Sequence, residues 1–307
     1  MRTQSQIHFA PSSLAVVKNI VVATDLSDTE RLLPHIIAQA KSGGAHVTLV
    51  HALPVPDEVV LGEQPTGIDK VRETQARQKL NDMAYRIEAE GIPCSTLLRR
   101  SVTVDLVQEA IEETDAGRLI IGTHRHGYAG QQMLGCEANA LLRAAYIPVF
   151  VIGPHVTDVS SHVVPHSIVH PVSLTGQYRE SAAFALELAQ ANQADLTLLH
   201  VLDEGVMRGS HSHNIFAKAN QALAELIPPQ HSPMAVHTVV ECGGVPQEIM
   251  RICSVTNSDW ILMGIERDFP WWSMSNNAAY QVIAQAECPV LVVRDDAIAE
   301  RRERGVD

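Results

Sequence analysis

The residues best suited to chemistry lie between Leu119 and Ile152, a stretch reading LIIGTHRHGYAGQQMLGCEANALLRAAYIPVFVI. An apolar run ends at Gly122, a polar loop bearing Gly127 and Gly130 follows, Gly135 opens a helical segment at Cys136-Glu137, and Ile147-Pro148 introduces a second apolar run. A glycine-bearing loop that feeds a helix N-terminus can receive an anion, usually a phosphate. The first N–H groups of the helix have no intrahelical acceptor, and the helix dipole is positive at that end. Nearer the start of the chain, Asp25 follows the apolar run Ile20 to Ala23.

Other constellations are weaker. His124 and His126 flank Arg125, and His211-Ser212-His213 forms a second such group. Neither supplies the three or four ligands that a metal site needs, so no metal is expected. Trp271-Trp272 sits in a polar loop with Glu266 and Asp268. Two readings stand for it: a plug folded back over a cleft, or a recognition surface for a protein partner or an apolar ligand. No nucleophile elbow, Walker-A loop or HExxH pair occurs in the chain. Ser42-Gly43-Gly44 follows a helix and precedes a strand, at the wrong end of a sheet for binding. An enzyme is therefore not expected; slow hydrolysis, with Asp25 orienting a water or magnesium, is the upper bound.

The elements that must hold these residues alternate. Ile20 to Ala23, Val47 to Leu53, Ser95 to Arg99 and Leu119 to Ile121 read as strands. Between them, a helix carries Leu32, Leu33, Ile36, Ile37 and Ala40 at helical spacing. A second runs from Thr66 to Glu90 and a third from Val104 to Thr114. The second half repeats the order: LTLLHVL ending at Leu202 matches VTLVHAL ending at Leu53, WILMG matches LIIG, and the run from Cys288 to Val293 matches that from Ile147 to Ile152. Such a period is an internal duplication.

The 307 residues have room for roughly two domains of ~150 residues. Hydrophobic residues at 46% and charged residues at 19% fit a globular core. A formal net charge of -12 argues against nucleic acid and anionic membrane as partners. Cys94, Cys136, Cys242, Cys253 and Cys288 are scattered without a CxxC pair, which fits a reducing compartment. No run reaches the ~18 apolar residues of a membrane span. A cytoplasmic location is the expectation.

The repeat and the loop together resemble the tandem universal stress proteins, over about residues 18 to 154 and again 165 to 296. Nucleotide-binding members of that family carry an Asp after the first strand and a G-x2-G-x9-G-[S/T] loop after the fourth. Asp25 matches the Asp, Gly122 the first glycine and Gly135 the last; Arg125 replaces the second glycine and Cys136 the hydroxyl residue. The resemblance implies an α/β fold of two tandem Rossmann-like (adenine nucleotide alpha hydrolase-like) domains, each with a five-stranded parallel sheet flanked by helices. It also implies a pseudo-dimer of the two copies through their last strands, and a homodimer is a further option.

The domains expected are an arm at 1–17, a first domain at 18–154, a linker at 155–164, a second domain at 165–296 and a charged, solvated tail at 297–307. The resemblance further implies ATP or AMP in the first domain, held by Ala23, Asp25, Val50, Ile121, Gly122, Arg125, Gly135, Cys136 and Glu137. Arg125 either blocks the loop or binds phosphate through its guanidinium. In the second copy Ser173 replaces Asp25 and Asn276-Asn277 replaces the closing pair, so no nucleotide is expected there. The alternative to nucleotide sensing is a nucleotide-free scaffold, or a regulator binding a small molecule or lipid in the altered second cleft.

Overall fold

The computed structural model describes residues 16–55, 67–123, 135–156, 164–176, 178–205, 212–229, 235–265 and 278–303. The first copy runs β1 (Asn19–Ala23), α1 (Thr29–Gly43), β2 (His46–Leu53), α2 (Gly67–Glu88), β3 (Cys94–Arg100), α3 (Thr103–Thr114), β4 (Arg118–Gly122), α4 (Cys136–Ala144) and β5 (Val149–Ile152). The second runs β6 (Ser167–Pro171), α5 (Arg179–Asn192), β7 (Asp195–Leu202), α6 (Ser212–Ala224), β8 (Val236–Cys242), α7 (Val245–Val255), β9 (Trp260–Ile265), α8 (Ala278–Gln285) and β10 (Val290–Arg294). A final helix, α9 (Asp295–Glu303), follows. Central strands such as β5 are buried on both faces, which is why they read as unbroken apolar runs.

The expectation of two separate five-stranded parallel sheets is overturned. The strands form one ten-stranded mixed sheet in the order β3-β2-β1-β4-β5-β10-β9-β6-β7-β8. β5 and β10 join antiparallel, pairing Val149 with Val292, Phe150 with Leu291 and Val151 with Val290, and the remaining pairs are parallel. Separate sheets would leave β5 and β10 as apolar edges with unpaired backbone groups, and each strand covers the other's edge. This pairing joins the backbones of the two copies, and Arg294 adds a side-chain bond to the Ala145 carbonyl at 3.4 Å.

Two apolar layers result, one on each face, and both cross the seam. Val22, Leu49, Phe150, Phe184, Trp260 and Leu291 lie in one; Val21, Val50, Val151, Val169, Ile261 and Val290 lie in the other. At the seam, Phe150 of β5 meets Trp260 of β9 edge-on, with ring centroids 5.0 Å apart. The end of the N-terminal arm packs too. Val17 is buried and lies so close to Gly43 that a Cβ there would collide with its backbone.

The tail, read from sequence as a solvated extension, is also corrected. It forms α9, which buries Ala297 and Ile298. One short apolar stripe suffices because the charges around it are engaged: Arg301 donates to the Ala116 carbonyl at 3.2 Å, and Arg302 donates to Glu187 at 2.7 Å.

Candidate functional site

Within each half the strand order reverses direction beside the first strand, between β1 and β4 and between β6 and β9. Ligand crevices form at such switch points, outside the carboxyl ends of the strands. A cleft of about 410 Å³ lies at the first, and one of about 470 Å³ at the second.

In the first cleft, β1 ends at Ala23 and the chain turns sharply. The Thr24 N–H donates to the Val50 carbonyl at 3.1 Å, and the Leu26 N–H donates to Thr24 Oγ1 at 2.9 Å. Leu26 takes a left-handed backbone, φ 64°, a strained state for a branched residue, while its side chain stays buried in the core. The turn presents Asp25 at the mouth. Its Oδ1 accepts from the Ser27 N–H at 2.9 Å and the Ser27 hydroxyl at 2.8 Å, which fixes the carboxylate's direction.

The opposite wall is built from helix ends. Gly135 is the N-cap of α4 and Val102 that of α3, and neither end carries a side-chain cap. First-turn N–H groups are thus available to an anion. Glu137, in the first turn of α4, accepts from Thr103 Oγ1 at 3.0 Å and joins the two helix ends. Gly122 closes the floor, where an added Cβ would sit 3.0 Å from Leu32 Cδ2. Gly135 differs, since a Cβ there meets nothing within 4 Å.

Of the nine residues expected from the sequence, Ala23, Asp25, Val50, Ile121, Gly122, Gly135, Cys136 and Glu137 line this one cleft. Arg125, with His124 and His126, lies outside the described residues, as do Trp271, Trp272 and His211. Among the described residues no group of three or more His, Cys, Asp or Glu could hold a metal ion, and no helix is long and apolar enough to cross a membrane.

Two positions escaped the sequence reading. His51 lines the cleft and donates from Nδ1 to the Thr24 carbonyl at 2.7 Å, tying the end of β2 to the turn after β1. In the second copy His200 makes the same bond to the Val172 carbonyl at 2.8 Å. The histidine shared by VTLVHAL and LTLLHVL was the available signal. Arg31 is the other. Its guanidinium pairs with Asp28 and donates to the carbonyls of Thr123 at 2.8 Å, Ile152 at 3.3 Å and Gly153, locking the ends of β4 and β5 onto α1.

The second cleft keeps the architecture with other chemistry. Ser173 stands near the place of Asp25, its hydroxyl 2.9 Å from that of Thr175. Val172, Leu199, Val201, Ile249, Met263 and Ile265 form apolar walls, and Asp295 reaches the floor from the start of α9.

Two α/β halves, each with a cleft at its switch point and joined through their last strands, define a tandem Rossmann-like α/β protein. The universal stress protein family matches residues 17–153 and 166–294, and the chain belongs to that family. A universal stress protein from Archaeoglobus fulgidus DSM 4304 superposes with a TM-score of 0.69 at 17% identity, covering 90% of this chain and 96% of that one. A Pseudomonas aeruginosa PAO1 protein of unknown function gives 0.64 at 20% identity, covering 95% and 98%. A protein of Pseudomonas aeruginosa UCBPP-PA14 assigned to the universal stress proteins gives 0.63 at 19% identity, covering 96% and 100%. At these identities the likeness is one of fold. Among curated proteins, no sequence matches at a significant level.

Proposed function

We propose that the chain is a stress-response protein that binds ATP or AMP in its first cleft and acts by binding rather than by turnover. The observation that carries this reading is the convergence at one switch point of Asp25, Gly122 and the uncapped N-termini of α3 and α4. Apolar walls from Ala23, Val50, Ile121 and Leu141 suit a flat base, and Asp25 suits the hydrogen-bond donors of adenosine. Phosphate would lie against the first turn of α4 at Cys136, where Gly135 leaves room for close approach. The described lining holds the carboxylates of Asp25 and Glu137 and no lysine or arginine. Arg125, three residues after Gly122 in the sequence, is the cation this reading assigns to the phosphates.

Binding of ATP and AMP to the full chain, followed by calorimetry and thermal unfolding, tests the reading. Ligand at a hundredfold excess over Kd stabilises by about 2.7 kcal/mol. Gly135 has φ -58° and open space around it. Gly135→Ala should therefore leave the unliganded melting temperature unchanged and remove the nucleotide-induced rise. Arg125→Gln should weaken ATP roughly tenfold or more while sparing adenosine. No rise at millimolar ATP in the unaltered chain would sink the proposal.

A further inference from the structure

The two clefts hold a carboxylate at the same corner, and among the described residues only the first is paired with a cation. Beside Gly122, Asp28 Oδ2 lies 3.5 Å from where a Cβ would stand; beside Gly264, Asp295 Oδ2 lies 3.7 Å from the corresponding point. In the first copy the carboxylate is the N-cap of α1 and pairs with Arg31, the third residue of that helix. In the second copy the N-cap of α5 is Tyr178, the third residue is Ser181, and the carboxylate arrives instead from α9. The negative charge has been kept in space and its guanidinium has been lost.

Asp295 is 6% exposed and lines the second cleft. Among the described residues its one hydrogen-bond donor is the Ser181 N–H, 2.9 Å from Oδ1. Among the described residues, the cations nearby are committed elsewhere. Arg294 donates to both oxygens of Asp296 at 3.0 and 2.6 Å, Arg179 lies 5.8 Å above the Tyr178 ring, and Arg302 pairs with Glu180 and Glu187. His170 lies beneath the same corner, donates from Nδ1 to the Leu262 carbonyl at 2.9 Å, and is held neutral by burial. A buried carboxylate without a cation is costly, and the cost is recovered only when a positive group enters.

We propose that the second cleft is a binding site for a small organic cation, an ammonium group on an apolar body, with Asp295 as its counter-ion. The walls named above bury the body, and Ser173, Thr175, Ser181 and Tyr178 offer hydroxyl groups near the charged end. The described residues present too few carboxylate and imidazole groups together for a metal ion. Phosphate is disfavoured beside a buried carboxylate.

The test is calorimetry on the full chain with phenethylamine and agmatine as cationic probes and phenethyl alcohol as the neutral isostere. Saturable binding of an amine, much weaker binding of the alcohol, and a loss of roughly 30-fold or more in Asp295→Asn are expected. The asparagine oxygen still accepts from the Ser181 N–H, so this variant folds, and its unliganded melting temperature should rise as the unpaired charge disappears. Ser181→Arg, which places a guanidinium at the helix position that α1 already uses, should abolish amine binding. Asp25→Asn, in the other cleft, should leave it intact. Equal affinity for amine and alcohol, unchanged amine binding in Asp295→Asn, or no binding of either amine at millimolar concentration overturns the proposal.

Discussion

At the scale of single residues, the two copies solve one buried position in opposite ways. Arg118 opens β4 opposite Ile20, and Trp260 opens β9 opposite Ile168. Trp260 fills its place with an indole against Phe150. Arg118 is 3% exposed; its Nη1 donates to Gln39 Oε1, while Nε and Nη2 find no acceptor. Burial pushes its pKa down to about 10, so the guanidinium is still charged at neutral pH. Such a group costs desolvation energy that one neutral amide does not offset. Replacing both partners, Arg118→Met with Gln39→Leu, should therefore raise stability, whereas Gln39→Leu alone, which removes the guanidinium's one acceptor, should cost about 1.5 to 3 kcal/mol. Urea unfolding of the three proteins separates these signs, and a loss in the double variant would mean that the guanidinium is better satisfied than its contacts indicate.

At the scale of elements, the repeat again provides its own control. α1 ends at Gly44 with φ 61°, and α5 ends at Gln193 with φ 54°; in each case the following residue donates back into the last turn, Ala45 to Ala40 at 2.8 Å and Ala194 to Ala189 at 2.9 Å. Glycine adopts that backbone freely, while a side chain costs about 1 kcal/mol. Gln193→Gly should raise the urea midpoint accordingly without changing the slope, and Gly44→Gln should lower it by a similar amount. Elements of this kind were legible in the sequence because apolar period and end signals are local: α3 and β4 were placed to within a residue, and Gly122 and Gly135 marked a strand end and a helix start. The sheet's continuity was not legible from the residues themselves, since VFVI reads alike whether its edge is free or paired; only the family resemblance pointed to the last strands. The Arg31 lock and the position of Asp295 were also hidden, because each depends on groups more than 100 residues apart meeting at one corner. For α9, the charges that suggested solvent conceal the buried pair Ala297 and Ile298.

At the scale of the whole molecule, one sheet with two apolar layers running across the seam makes the halves thermodynamically dependent on each other. Phe150 tests this, because it belongs to the first copy yet packs on Trp260 of the second, and its ring lies 6.1 Å from His35 on α1. Removing a buried phenyl ring costs about 3 to 5 kcal/mol, and part of that loss falls on each side of the seam. All three tryptophans, Trp260, Trp271 and Trp272, lie in the second copy. Tryptophan fluorescence therefore reports on the second half and, through the Trp260–Phe150 contact, on the seam, while far-ultraviolet circular dichroism reports on both halves. With the halves coupled, the two probes should give one coincident urea transition, and Phe150→Ala should move both to the same lower midpoint. If the fluorescence transition instead stayed at its original midpoint while part of the dichroism signal melted earlier, the second half would be standing by itself, and the β5–β10 pairing would be a contact between two independent domains.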